Sequence, residues 1–133
     1  MAIVRFDPFR GFGFVDAPVV NEGWVPAVDI YETDKNELVI KAELPEMNRE
    51  AIAVTVEHGT LTISGERARG DEVPRDAYRR VERASGRFSR RFALPREVDA
   101  AKVAADYKDG VLTVRLPKRE DARPRTIPVA MAS

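Results

Sequence analysis

The side chains with chemical reach in this 133-residue chain are few. They are one histidine (His58), four serines (Ser64, Ser85, Ser89, Ser133), an acidic run at Asp29, Glu32, Asp34 and Glu37, and nine arginines between residues 66 and 91. A nucleophilic triad needs a serine in a sharpened turn, and none of these serines lies in a Gly-x-Ser-x-Gly elbow. His58 is followed directly by Gly59, which reads as a turn rather than as the setting of a catalytic base. The four acids resemble a calcium loop only loosely, without its ordered glycine and closing bidentate glutamate, so they read as a solvated strand–turn–strand. No glycine-rich segment has phosphate-cradling or dinucleotide spacing. Nothing points to a glycosidase-type carboxylate pair. Cysteine is absent, which removes disulfides, thiolate nucleophiles and thiolate metal sites. The expectation is a non-enzyme with no cofactor and no metal.

The nine arginines share their stretch with five interleaved acids and few aromatic platforms. That composition fits a solvated or intersubunit ion-pair network better than a nucleic-acid groove. Lys+Arg 22 balance Asp+Glu 22, so no bulk field draws the chain to nucleic acid or to an anionic membrane. Near-zero net charge also does little to oppose self-association. Hydrophobic content of 44% supports a packed core for one domain of roughly a hundred residues plus extensions. The N-terminus has no apolar run of signal-peptide or membrane-span length, so the expected location is the cytoplasm.

The elements that would position any site read as strands. From Trp24 the apolar residues alternate: Val28 and Ile30, then Leu38, Ile40, Ala42 and Leu44, split by the turn tetrapeptide Thr33-Asp34-Lys35-Asn36. Pro45 stops that strand, and Met47 to Glu50 make a connection. Ile52, Val54 and Val56 resume the alternation; His58-Gly59 then turns the chain into Leu61, Ile63 and Gly65. Phe88, Arg90, Phe92 and Leu94 share a face of the next strand, which Pro95 ends. Asp99 to Lys102 predicts a single helical turn. Val103 to Tyr107 and Val111 to Leu116 flank Asp109-Gly110, the signature of a type I′ hairpin, and Pro117 stops it. Short, regular strands with one buried face each predict an all-β, antiparallel, immunoglobulin-like sandwich.

Three segments fall outside that rhythm. Residues 1–23 form a flexible arm in which Phe6, Phe9, Phe12 and Phe14 are interleaved with arginine, glycine and proline. Its aromatics either tuck into the core or serve as a sticky surface for other chains. Residues 66–87 make a polar loop too long to be idle in a compact domain. Within it, Tyr78 to Arg83 has the makings of a strand too polar for a core, and an edge strand donated to another subunit would fit. Arg90 stands between two phenylalanines on an apolar face, so it needs a carboxylate or carbonyl partner, or must snorkel to solvent. Residues 118–133 form a charged, proline-containing tail, flexible in expectation, that carries Ile127-Pro128-Val129: two β-branched knobs held apart by a proline. The domain proper is therefore expected at 24–117.

Several segments together resemble one family. Trp24-Val25-Pro26-Ala27-Val28-Asp29-Ile30 resembles the W-x-P-x-x-D-I opening of bacterial and plant small heat-shock proteins. Leu38 to Pro45 is similar to their l-x-v-x-a-e-L-P strand, and Arg80 to Pro95 to their R-x-E-R-x-x-G-x-F-x-R-x-F-x-L-P block. Ala105 to Leu112 is similar to A-x-x-x-n-G-V-L, with Asp109 where asparagine is common, and Ile127-Pro128-Val129 to the tail motif I-x-I/V. Together these cover about Trp24 to Val129. Only 23 residues precede Trp24, a short arm for this family.

The resemblance implies an alpha-crystallin domain in an ATP-independent holdase that binds partly unfolded proteins and prevents their aggregation. It implies a dimer formed by exchanging the loop strand (Tyr78, Arg80, Val81, Glu82, Arg83), with Arg90 at or near the interface. It also implies a tail motif, Ile127-Pro128-Val129, that docks in a neighbour's groove walled by Ile52, Val54 and Val56 on one side and by Val103 and Ala105 on the other. Partners would be unfolding clients, further copies of the chain, and ATP-driven chaperones that receive clients; nucleic acid and membrane are not expected. Client contacts would fall to Phe6, Phe9, Phe12 and Phe14. A co-chaperone module without holdase activity is the alternative, although such modules usually lack the I-x-V tail and the loop strand. A glycan-binding sandwich would be expected to cluster tryptophan and tyrosine beside carboxylates, whereas the single Trp24 stands at the start of the domain.

Overall fold

The structure, a computed structural model, describes residues 16–17, 23–69, 72–122 and 126–132. Among the described residues, eight strands form two antiparallel sheets: β1 (Asp16–Ala17), β2 (Val28–Glu32), β3 (Glu37–Glu43), β4 (Ile52–Glu57), β5 (Thr60–Arg67), β6 (Gly86–Ala93), β7 (Ala104–Lys108) and β8 (Val111–Pro117). One sheet has the order β1-β6-β5-β4, the other β2-β3-β8-β7. The alternation read from the sequence sets which side chains turn inward. Leu38, Ile40 and Ala42 of β3 meet Leu61 and Ile63 of β5, Phe88 and Phe92 of β6, and Leu112, Val114 and Leu116 of β8 in a single apolar cluster. Val39 breaks the alternation, being fully buried on the opposite face. Its cross-strand neighbours are Tyr31 and Arg115, whose long side chains can cover a small β-branched residue from solvent.

The turns follow from the residues that tolerate left-handed backbone. His58 and Gly59 (φ 51° and 72°) close the β4–β5 hairpin, and Asp109 and Gly110 (φ 54° and 77°) close β7–β8. Thr33 organises the β2–β3 turn: its Oγ1 accepts from the N–H groups of Lys35 and Glu37, both at 3.3 Å. The expected helical turn is a short 3-10 segment at Ala100–Lys102, capped by the Asp99 carboxylate accepting from the Ala101 N–H at 3.1 Å.

Two segments differ from the sequence expectation. Asp16 and Ala17, within the stretch read as an arm without regular structure, pair with Phe92 and Arg91 at the outer edge of β6. Residues 78–83 have no ladder partner among the described residues; apart from the 3-10 turn Arg75–Ala77, the described part of the long loop is irregular. A strand exists only through its partner's hydrogen bonds, and the described residues supply none here.

Core packing yields the first testable outcome. Phe92 is fully buried, opposite Leu61 on the neighbouring strand. Phe92→Ala should cost about 3–5 kcal/mol of unfolding free energy, read by urea titration, because the lost transfer energy adds to a cavity that a sandwich cannot collapse.

Candidate assembly and client-binding site

Both sheets end in a strand with one neighbour: β4 pairs only with β5, and β7 only with β8, among the described residues. The opposite flank is tied across the sandwich. Arg90 of β6 donates from Nη1 to the Pro26 carbonyl, just ahead of β2, at 2.7 Å. That places the β2 and β6 sides together and leaves β4 and β7 to share the other flank.

The expected groove residues gather on that flank. Ile52 and Val54 of β4 pack partly against the core, and Val56 is more exposed. Val103, immediately before β7, also packs on the core, while Ala105 is exposed. Strand periodicity puts Val103, Ala105 and Tyr107 on one face. Only a methyl group therefore stands in the middle of the apolar row at the β7 edge. The Tyr107 hydroxyl donates to the Leu44 carbonyl and accepts from the Met47 N–H at 3.4 Å. It pins the end of β7 to the β3–β4 connection.

The tail is free of its own chain's groove. Ile127 and Val129 are 71% and 94% exposed, and Met131, a further two residues on, is 95% exposed. In an extended segment these three fall on one side. The sequence reading had stopped at Val129. Phe6, Phe9, Phe12 and Phe14 lie outside the described residues.

In the long loop Tyr78 is half-buried, while Arg80, Val81, Glu82 and Arg83 are exposed. Arg80 pairs with Glu82 at 3.3 Å, and Arg83 with Glu46 at 2.7 Å. The hydrogen bond and charge of Arg83 hold the Glu46 carboxyl below its usual range. A depressed carboxyl contributes at neutral pH and loses that contribution as acid protonates it, so this exposed pair is a neutral-pH feature. Arg90 finds the carbonyl partner that its position demanded, and its guanidinium stands 5.4 Å from the centroid of the Phe92 ring. Burial lowers its pKa, though a guanidinium stays protonated at any ordinary pH.

No metal cradle emerges from the acids flagged by the sequence. Glu32 pairs with Lys118 and Glu37 with Arg115. Among the described residues no group of three or more histidine, cysteine or acidic side chains is placed to share an ion, and no helix is long and apolar enough to cross a membrane.

Set against known proteins, residues 30–130 match the Hsp20/alpha crystallin family. The chain belongs to that family. The 17.6 kDa class I heat shock protein 3 of Arabidopsis thaliana is 40% identical over 126 residues, spanning 90% of this chain and 80% of the relative. Spore protein SP21 of Stigmatella aurantiaca is 41% identical over 138 aligned positions, spanning 96% of this chain and 76% of its own. The solved structure of a small heat-shock protein from Xylella fastidiosa, described as having a distinct high order structure, superposes with a TM-score of 0.70 at 39% identity, covering 82% of this chain and 99% of that one. Membership of the Hsp20/alpha crystallin family gives the protein a place among the chaperones of the stress response.

In this member of the Hsp20/alpha crystallin family, the brace at the end of β7 has no local signal in the sequence. Tyr107 was read as a strand residue; its partners Leu44 and Met47 lie far away in sequence, so only the fold brings them together. Arg67 was read as one of many loop arginines, yet it is buried. A signal was present in the chain: Arg67 is the first cation after the continuous Leu61–Gly65 strand, where it still belongs to the ladder.

Proposed function

We propose that the protein is an ATP-independent holdase: it binds partly unfolded proteins through apolar surface and keeps them from aggregating, without nucleotide or catalysis, in the cytoplasm. The observation that carries this reading is that β4 and β7, edge strands among the described residues that bear or adjoin Ile52, Val54 and Val103, occur on the same chain as an exposed Ile127-Pro128-Val129 tail. The tail cannot be satisfied by solvent exposure, and such edges would be an aggregation liability unless covered. Tail docking into a recess between a neighbour's β4 and β7 answers both. The chains would dimerise by exchanging Tyr78 to Arg83, and the tails would link dimers. The Phe6/Phe9/Phe12/Phe14 arm and vacated recesses would take clients, which ATP-driven chaperones would later receive. Each tail contact is modest, so heating releases tails and bares recesses.

The test is light scattering from a heat-labile client with and without the protein, no ATP added. Suppression of scattering at near-stoichiometric protein is expected. Equal aggregation in both samples would refute the holdase reading and favour an interaction module that docks on another chaperone.

A further inference from the structure

Four separated segments converge on one side chain. Arg67, the last residue of β5, is 8% exposed. Its Nη1 donates to the Pro45 carbonyl in the β3–β4 connection at 3.3 Å, and its Nη2 donates to the Ala84 carbonyl on the returning limb of the long loop. Its guanidinium carbon lies 4.2 Å from the centroid of the Trp24 ring at the start of the domain. Trp24 is itself held by its Nε1 donating to the Gly86 carbonyl at 3.0 Å, by its N–H donating to the Arg87 carbonyl at 3.2 Å, and by the edge of Phe88 at 5.3 Å. Gly23, just before it, approaches so closely that a Cβ there would stand 2.0 Å from the Arg87 carbonyl oxygen.

A buried guanidinium is costly unless its donors are used and its faces packed. Here carbonyls take two donors and an indole face packs against it. Lysine could not reproduce this arrangement, having neither the planar fork nor the flat face. The two roots of the loop, residue 67 going out and residue 84 coming back, are thus bonded to one another through one head group. Residues 78–83 leave and return through that clasp.

We propose that Arg67 is a positioning residue for dimerisation: it clasps both roots of the 68–85 loop to Trp24, so that the loop strand is presented to a partner in one orientation. This rests on the reading that Tyr78 to Arg83 is the exchanged strand. A clasped loop loses less freedom on pairing than a loose one, so the clasp lowers the ordering cost of the dimer and slows its opening. The same contact couples the base of the arm to the base of the loop, since Trp24 directly follows the arm and touches Arg67, Gly86 and Arg87.

The experiment mixes isotopically labelled and unlabelled full-length chains and follows the appearance of mixed dimers by native mass spectrometry. Arg67→Met preserves bulk and removes the fork; it should speed mixing roughly tenfold or more, the scale of losing hydrogen bonds made by a charged group. Trp24 is the only tryptophan, so its emission reports the broken clasp directly and should shift in the same variant. Arg67→Lys should mix faster than wild type but keep its charge, and it decides the matter should the methionine variant not fold. Mixing at the wild-type rate, even with a lowered melting temperature, overturns the clasp and leaves Arg67 a merely structural arginine. Deletion of residues 78–83 separates the two ideas. If that chain remains dimeric, the exchange reading fails; if it is monomeric while the Arg67 variants mix like wild type, only the clasp fails.

Discussion

Removing residues 126–133 should reduce large assemblies to dimers in sedimentation velocity, with the sandwich intact by circular dichroism. The expectation follows from how little each link is worth and how many there are. Ile127 and Val129 lie almost wholly in water, so docking both would recover about 3–6 kcal/mol on burial arithmetic. Part of this is spent immobilising the segment, which Pro128 limits by fixing its own backbone in advance. What remains would give weak single contacts, and under the proposed assembly a large particle would persist only because each dimer offers two tails and two docking edges. Losing every tail removes all such links at once, whereas the dimer contacts lie elsewhere. Ile127→Ala with Val129→Ala should act in the same direction, leaving Met131 as the sole remaining knob. Large particles that survive the truncation would disprove the tail assignment.

Replacing Phe6, Phe9, Phe12 and Phe14 by serine should abolish most client protection in the scattering assay while leaving dimers unchanged in size. Aromatic side chains bury large areas, so this quartet is the densest source of transferable apolar contact in the chain. If the arm takes clients, a sequence that mixes aromatics with glycine and proline would suit clients of different shape, the property a broad-range binder needs. Combined with the tail truncation, the experiment divides the work. If recesses take clients, the truncated protein protects better than wild type and the serine quartet only partly impairs it. If the arm takes them, the quartet is inactive with or without the tail. Undiminished protection by the quartet would remove the arm from the mechanism.

The strands were legible because each carries two agreeing signals, alternation and a terminator. His58-Gly59 and Asp109-Gly110 do adopt the left-handed pair that a tight hairpin requires. What escaped was whatever depends on partners distant in the chain. Asp16 and Ala17 join β6 through a ladder two residues long, too short to leave any period in the sequence. Arg67 looks no different from Arg69 in composition; only the meeting of Pro45, Ala84 and Trp24 sets it apart. Tyr78 to Arg83 poses the opposite problem. The segment has strand-like composition, but among the described residues it finds no ladder partner. The two apolar rows proposed to bind the tail were legible as residue types, whereas the Tyr107 hydrogen bonds that tie the end of β7 to the β3–β4 connection were not.

The pairing of β3 with β8 bears on how fast this protein becomes competent. Leu38 faces Leu116 and Ile40 faces Val114, so the middle of one sheet joins residues from opposite ends of the domain. Hairpins such as β4–β5 can close early, but this central ladder must wait for nearly the whole chain to be brought round. Non-local sheets of this kind fold on about the millisecond-to-second scale, orders of magnitude slower than helical bundles. Until then β3 and β8 are themselves bare hydrophobic strands. A newly made or heat-unfolded copy would thus expose the same kind of apolar surface as the clients proposed for its folded siblings.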